Sequence, residues 1–501
     1  MKGDCYLVIV PFRFILYIMK PLIFKDTRGN CYLYSPFKKK ISYVNEVLYL
    51  LIKSYLEDPG FTVTKEWDEK YGEANVKKSV DRFVFLREHE FLEESNDDFS
   101  IDLNPSYLPD SLSDVKQVCF ELTQKCNLSC VYCCYGDLYH HEGNDHSKEL
   151  DLQAAFCLID HLCRDMRKKE TGSIKKKIIL GFYGGEPLLK YDLIKRIVEY
   201  SEEKSQACDD FYFEYIMTTN GILLDRYMDF FVKHKFSLMV SLDGNYENSA
   251  YRITKNKENM FPKIEDNLKL LKNKYPEYFN NKVTFNSVIH DKNSVKEVVK
   301  FYQEEYDKIP QLAEVAPDPI KDEKRKEFEA MYREVGGNYQ TLRSVVSKDG
   351  YLQVDKAMKN IPHFFYKLLN INIRNWTEWL CDFEYERYPT GICLPFTNKI
   401  FVSADGRLHL CEHIGYGYAF GYIDVPNHTL VYDKNKVAED YSAYYKQISS
   451  ECSQCAELIV CETCIFQKRM KCKAVSEQEF AEKIALNMDV LRERDFFVKY
   501  S

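Results

Sequence analysis

Between residues 115 and 316 the chain alternates between short apolar runs and stretches in which apolar residues recur at helical spacing. The runs 118–123, 177–183, 211–218, 236–242, 283–289 and 312–315 read as strands. Ala155, Leu158, Ile159, Leu162 and Met166 mark one face of the first intervening helix, and further helical patterns run over 188–204, 222–234, 262–274 and 294–306. Repeated strand–helix units predict a parallel sheet or barrel. Six strands fall short of the eight of a closed barrel, so the expected fold class is α/β, with a partial (β/α)6 barrel over 111–316. In such a barrel the loops at the carboxyl ends of the strands carry the chemistry.

The flanks have other rhythms. Residues 20–110 hold a strand-like run at 30–35, a helical pattern at 44–51, a second helix at 74–88, and Phe91-Leu92 leading into an expected turn at Asn96-Asp97-Asp98. That order fits a winged helix-turn-helix and fits a generic small domain equally well. Residues 317–380 are charged and then aromatic, and read as a helical connector. Residues 381–501 begin cysteine-rich and end in a helix over 476–495.

Composition narrows the class. In 501 residues, 45% are hydrophobic and 29% charged, with a net charge of −8, which is the balance of a soluble globular protein and a poor match to a nucleic-acid binder. The opening MKGDCYLVIVPFRFILYIM is interrupted by Asp4, Pro11 and Arg13, too soon for a spanning helix. An N-terminal strand, or a start at Met19, is the preferred reading over a membrane anchor. Eighteen cysteines without a secretory signal point to the cytoplasm, where clustered cysteines are more often metal ligands than disulfides.

The first cysteine set follows the first barrel strand. Cys126, Cys130 and Cys133 are spaced C-x3-C-x2-C, with Tyr132 before the third and Cys134, read as a bystander, after it. Three thiolates on one short loop hold three irons of a cubane and leave the fourth open to an amine and a carboxylate. Zinc sites close a four-ligand tetrahedron and fit this spacing poorly. Downstream, the second strand ends in Gly184-Gly185-Glu186-Pro187, the third in Thr219-Asn220-Gly221 and the fourth in Ser241-Leu242-Asp243-Gly244. Glycines there allow close approach to the backbone, while Asn, Ser and Asp either bind polar groups or merely form turns and caps. Arg252 reads as a surface residue.

The second set lies at Cys393, Cys411, Cys452, Cys455, Cys461, Cys464 and Cys472, in the pattern C-x12-G-x4-C, a gap, then C-x2-C-x5-C-x2-C-x7-C. Cys452/Cys455 with Cys461/Cys464 also suits a four-cysteine zinc ribbon.

With these motifs in place the chain resembles the radical S-adenosylmethionine superfamily over about 115–475, and its cysteine-rich end resembles the SPASM domain of peptide-modifying members. The resemblance implies three [4Fe–4S] clusters and S-adenosylmethionine. Cys126, Cys130 and Cys133 would hold the first cluster. Gly184, Gly185 and Glu186 would bind the amino group of S-adenosylmethionine; Asn220, Ser241 and Asp243 its carboxylate or ribose; Tyr132, Val288 and Ile289 complete the cofactor site. Cys393, Cys411 and Cys464, with Cys381 as candidate fourth ligand, would hold a nearer auxiliary cluster, and Cys452, Cys455, Cys461 and Cys472 a farther one. The family expects x3 where Cys461 and Cys464 are separated by x2. Glu412 stands where sulfatase-maturing relatives carry a general base, and His413 reads as a surface histidine. Residues 1–110 would recognise the leader of a ribosomal precursor peptide, and a flavodoxin or ferredoxin would supply electrons. Oxidative crosslinking of that peptide is the expected activity, formylglycine formation the runner-up, and a zinc- or iron–sulfur-bearing DNA-binding regulator the reading from another class. No membrane and no nucleic-acid partner are expected.

Overall fold

The structure, a computed structural model, describes residues 14–140, 148–167, 175–207, 210–316, 320–333, 335, 364–365, 368, 388, 393–461, 463–466 and 474–493. The chain divides into two compact units. One comprises residues 1–104, 357–392 and 438–501, and the other residues 105–356 and 393–437.

The first unit opens with β1 (Phe14–Met19), β2 (Leu22–Lys25), β3 (Cys31–Ser35) and β4 (Lys40–Val44). The helices α1 (Glu46–Glu57), α2 (Lys65–Tyr71) and α3 (Glu73–Glu88) follow, and then β5 (Ser95–Ser100). Asn45 caps α1 by accepting a hydrogen bond from Leu48 N at 2.7 Å. Strands β2, β3 and β4 form an antiparallel sheet in that order. Cys31, Leu33 and Val44 of this sheet share one core with Leu48, Leu51 and Ile52 of α1 and Phe83 and Leu86 of α3.

The turn expected at Asn96–Asp98 is instead strand. β5 pairs antiparallel with β1, placing Asn96 opposite Ile18, Asp97 opposite Tyr17 and Asp98 opposite Leu16. The apolar partner supplies the backbone ladder that this polar run does not advertise, and Lys39 pairs with Asp97 at 2.9 Å.

The second unit is built on β6 (Gln117–Thr123), α4 (Leu152–Arg167), β7 (Lys176–Gly184), α5 (Tyr191–Gln206), β8 (Phe211–Thr219), α6 (Leu224–Lys233), β9 (Ser237–Ser241), α7 (Phe261–Lys274), α8 (Pro276–Lys282), β10 (Val283–Ile289), α9 (Val295–Tyr306), β11 (Gln311–Glu314) and α10 (Arg325–Met331). The six strands β6 to β11 are parallel and lie in sequence order. Their apolar runs are continuous because helices cover one face and the barrel interior the other.

Four further strands extend this sheet: β12 (Lys399–Val402), β13 (Arg407–His409), β14 (Gly421–Asp424) and β15 (Thr429–Tyr432). β12 pairs parallel to β6, a seventh parallel strand that sequence reading missed, and β13 to β15 continue antiparallel to give ten strands in all. The last helices are α11 (Lys434–Cys452) and α12 (Glu477–Glu493). No described helix is long and apolar enough to cross a membrane.

Candidate active site

The loop after β6 carries Cys126, Cys130 and Cys133, all partly buried. Burial pushes the Cys126 and Cys130 thiols up to about 12, the Leu128 N–H partly offsetting it at Cys126 and the Arg252 cation at Cys130. Cys133 is raised by its hydrogen bond with the neighbouring Cys134 and by burial. Metal loading here must therefore release protons. Among the described residues, no three His, Cys, Asp or Glu side chains stand close enough to hold a single metal ion.

The strand ends are bound to this loop rather than merely near it. Gly185 N donates to Thr123 O at 2.9 Å and Glu186 N to Lys125 O at 3.0 Å. A Cβ on Gly184, whose φ is +126°, would lie 2.1 Å from Thr123 O, and one on Gly185 would lie 2.3 Å from Lys125 O. The space that glycine leaves is taken by the backbone of the cysteine loop itself. Gly185→Ala is expected to cost roughly 2–4 kcal/mol, because backbone on both sides has to move. Urea unfolding checks this, and an unchanged midpoint would show that the junction yields freely.

Glu186 is fully buried. Its carboxylate accepts from Leu188 N at 3.0 Å, Thr219 Oγ1 at 2.9 Å and Asn220 N at 2.8 Å. Burial raises it to about 7 despite these donors. The side chain thus ties the end of β7 to the end of β8. Asn220 donates through Nδ2 to Asn127 Oδ1 at 2.7 Å and lies 3.7 Å from Cys126 Sγ. Ser241, at the end of β9, is half-buried, and Val288 and Ile289 are buried at the end of β10.

Asp243 is wholly buried and surrounded by donors. It accepts from Arg252 Nη2 at 2.9 Å, from Val288 N at 3.0 Å and from the Tyr132 hydroxyl, and His290 Nε2 lies 3.6 Å away. Burial works against ionisation, but Arg252, with His290 and Tyr132, holds the carboxyl below its usual range. The surface reading of Arg252 is therefore overturned: this side chain is buried and ion-paired. It folds inward because Asp243 at the end of β9 offers a counter-charge that a sequence pattern does not display. Its Nε is buried and has no hydrogen-bond partner among the described residues. An orphaned donor on a guanidinium that acts on the Cys130 and Cys133 thiols fits a site completed by an anionic group.

Sequence reasoning also missed Glu121. This buried carboxylate in β6 accepts from Tyr135 Oη at 2.7 Å, from the Tyr416 hydroxyl, from Ala404 N at 2.8 Å and from Gln124 Nε2 at 3.3 Å. It joins both ends of the cysteine loop to the segment around Cys411. A lone acid inside the run Val118-Cys119-Phe120-Glu121-Leu122 was the available signal.

Glu412 pairs with Lys399 on β12. Burial opposes its charge, and the Lys399 ammonium holds it below the ordinary carboxylate range. His413 is exposed, as expected. Nearby, burial lowers His409 to about 4, with Arg407 adding to the effect. His409 is therefore neutral in the fold, and its contribution is complete above the unfolded value of 6.5 and lost as pH falls toward 4. Comparing wild type with His409→Gln should show an advantage that shrinks by on the order of 2–3 kcal/mol between pH 7 and 4. A constant difference across that range would refute the assignment. Differencing is needed because Glu186, raised toward 7, gives the opposite slope, its stability falling as pH rises.

The other cysteines divide between the units. Cys393, exposed, and Cys411, partly buried, belong to the barrel unit. Cys452 and Cys455, buried, and Cys461 and Cys464, partly buried, belong to the other. Val475 N donates to Cys455 Sγ at 3.4 Å. Cys381 and Cys472 lie outside the described residues.

Residues 120–304 match the family model of the radical SAM superfamily. The chain is 22% identical over 382 residues to a cysteine-type anaerobic sulfatase-maturating enzyme of Clostridium novyi, covering 75% of this chain and 92% of that protein. It is 23% identical over 181 residues to the radical SAM cyclopropyl synthase TigE of Paramaledivibacter caminithermalis, covering 35% of each. The chain thus spans about a third of that synthase. A solved structure, native anSMEcpe with bound AdoMet, shares the fold at a TM-score of 0.52 and 15% identity, over 76% of this chain and 98% of that one. The cysteine loop at the mouth of a parallel barrel and the family match across that same barrel identify residues 120–304 as a radical SAM domain.

Proposed function

We propose that this chain cleaves S-adenosylmethionine reductively and uses the resulting radical to crosslink a ribosomally made precursor peptide. The observation that carries the reading is the cysteine loop bonded to the ends of β7 and β8 at the barrel mouth. Cys126, Cys130 and Cys133 would hold the first [4Fe–4S] cluster, fed by a flavodoxin or ferredoxin. With S-adenosylmethionine bound, that cluster supplies a 5′-deoxyadenosyl radical, the hard chemistry that the side chains themselves lack. The protein's own work is positioning. Asn220 presents an amide to Cys126, and the buried Arg252 offers its unpaired Nε–H to an anionic group. Glu412, kept ionised by Lys399, is the candidate acceptor for the proton released when a substrate carbon is oxidised. The later cysteines, from Cys381 to Cys472, are candidates for two auxiliary clusters that accept the second electron.

Residues 1–110 would hold the leader. β4 ends the three-stranded sheet order, and an extended leader would add to its edge by backbone hydrogen bonds. Co-expression with a candidate precursor peptide, followed by mass spectrometry, tests the reading. Loss of two hydrogens supports a crosslink. Likeness to the sulfatase-maturating enzyme favours a second reading, formylglycine formation, in which a cysteine CH2–SH of the peptide is oxidised by two electrons to an aldehyde, losing its sulfur as sulfide and two hydrogens and taking its oxygen from water. An unmodified peptide in the presence of active enzyme would count against both.

A further inference from the structure

We propose that Arg252 and His290 are positioning residues that, through Asp243, lock Tyr132 and so shape the cysteine loop before any cofactor arrives. The inference rests on reading Cys126, Cys130 and Cys133 as cluster ligands.

Tyr132 lies between Cys130 and Cys133 in sequence, so its placement constrains both thiols. Its hydroxyl is bonded to Asp243. The Arg252 guanidinium stands 5.6 Å from its ring centroid, and the His290 ring stacks on it at 5.6 Å with planes 28° apart. The loop backbone is held by the same segment: Ser129 N donates to Ile253 O at 2.7 Å and Val131 N to Tyr251 O at 3.1 Å, on either side of Arg252. Tyr251 in turn donates to Asp291, next to His290, at 2.8 Å. Lys292 N donates to His290 Nδ1 at 3.2 Å, and Nε2 faces Asp243 at 3.6 Å.

Asp243 already accepts from Tyr132, Arg252 and Val288, with His290 beside it. Three donors already bind this carboxylate within the protein, two on Oδ1 and Tyr132 on Oδ2, which favours an anchor for Tyr132 over a group waiting for a ribose hydroxyl. A buried polar network that converges on one acceptor, as this one does on Asp243, favours one arrangement of its members. The ends of β9 and β10 therefore set the spacing of thiols that lie more than a hundred residues earlier in the chain.

The two roles for Asp243 separate in holoenzyme that has not met S-adenosylmethionine. Anaerobically reconstituted wild type, Tyr132→Phe, His290→Leu and Arg252→Lys are challenged with an iron chelator, and loss of iron–sulfur absorption is timed. Tyr132→Phe removes one hydroxyl and is the mildest change. It should lose its cluster roughly ten-fold faster, as expected for one charge-assisted hydrogen bond. The electron paramagnetic resonance signal of its reduced cluster should broaden, which a change in overall stability alone would not produce. A wild-type rate and signal in Tyr132→Phe, together with loss of the S-adenosylmethionine-induced change in the signal of Asp243→Asn, would overturn the clamp and return Asp243 to the cofactor. If wild type holds no cluster that depends on Cys126, the underlying reading fails instead, and the two failures are distinguishable.

Discussion

Cys126→Ala is expected to eliminate 5′-deoxyadenosine formation while leaving the fold in place. Three thiolates are the minimum for a cubane with one open iron, so removing one should strip about four irons per chain. The drop in 5′-deoxyadenosine should be roughly a thousand-fold or more, or at least about 4 kcal/mol in the barrier. The structural cost should be small. The contacts of Cys126 Sγ are a hydrogen bond from Leu128 N at 3.3 Å and weak ones with Asn127 and Asn220. Weak bonds to sulfur contribute within about 1 kcal/mol, so the urea midpoint of the metal-free variant should stay close to that of wild type. Iron analysis and product chromatography on the same preparation check both halves. A variant that keeps its iron and its 5′-deoxyadenosine would remove Cys126 from the site.

The second large effect is on stability. Asp243→Ala leaves Arg252 buried without its counter-charge and takes the acceptor from Tyr132 and Val288 N. Breaking a buried pair on one side costs about 3–5 kcal/mol, far more than the pair's net worth. Adding Arg252→Met to that variant should recover a substantial part of the loss, since removing both charges from a buried site is often close to neutral. Urea denaturation of the two single variants and the double gives the coupling directly. Additive losses would mean that Asp243 and Arg252 do not act as a pair.

The sequence disclosed the barrel because parallel strands buried on both faces read as apolar runs, and 283–289 was located to the residue. The cysteine loop was equally plain, since spacing alone carries it. What stayed hidden depends on partners distant in the chain. β12 is four residues long and joins β6 from more than 270 positions away, so no local period marks it. β5 is polar and owes its strand conformation to β1. Arg252 looked like surface because burial of a cation depends on Asp243, and His290 follows the last apolar residue of β10 with nothing in the pattern to single it out. The glycines at 184 and 185 were legible as a close approach, but not that the approaching backbone belongs to the cysteine loop.

The central claim is that this barrel cleaves S-adenosylmethionine by reduction. Anaerobically reconstituted wild-type enzyme, mixed with dithionite and S-adenosylmethionine, should yield 5′-deoxyadenosine and methionine in equal amounts, and none when reductant is withheld. A fully iron-loaded, dithionite-reduced preparation that leaves S-adenosylmethionine intact in the presence of its peptide would contradict the account.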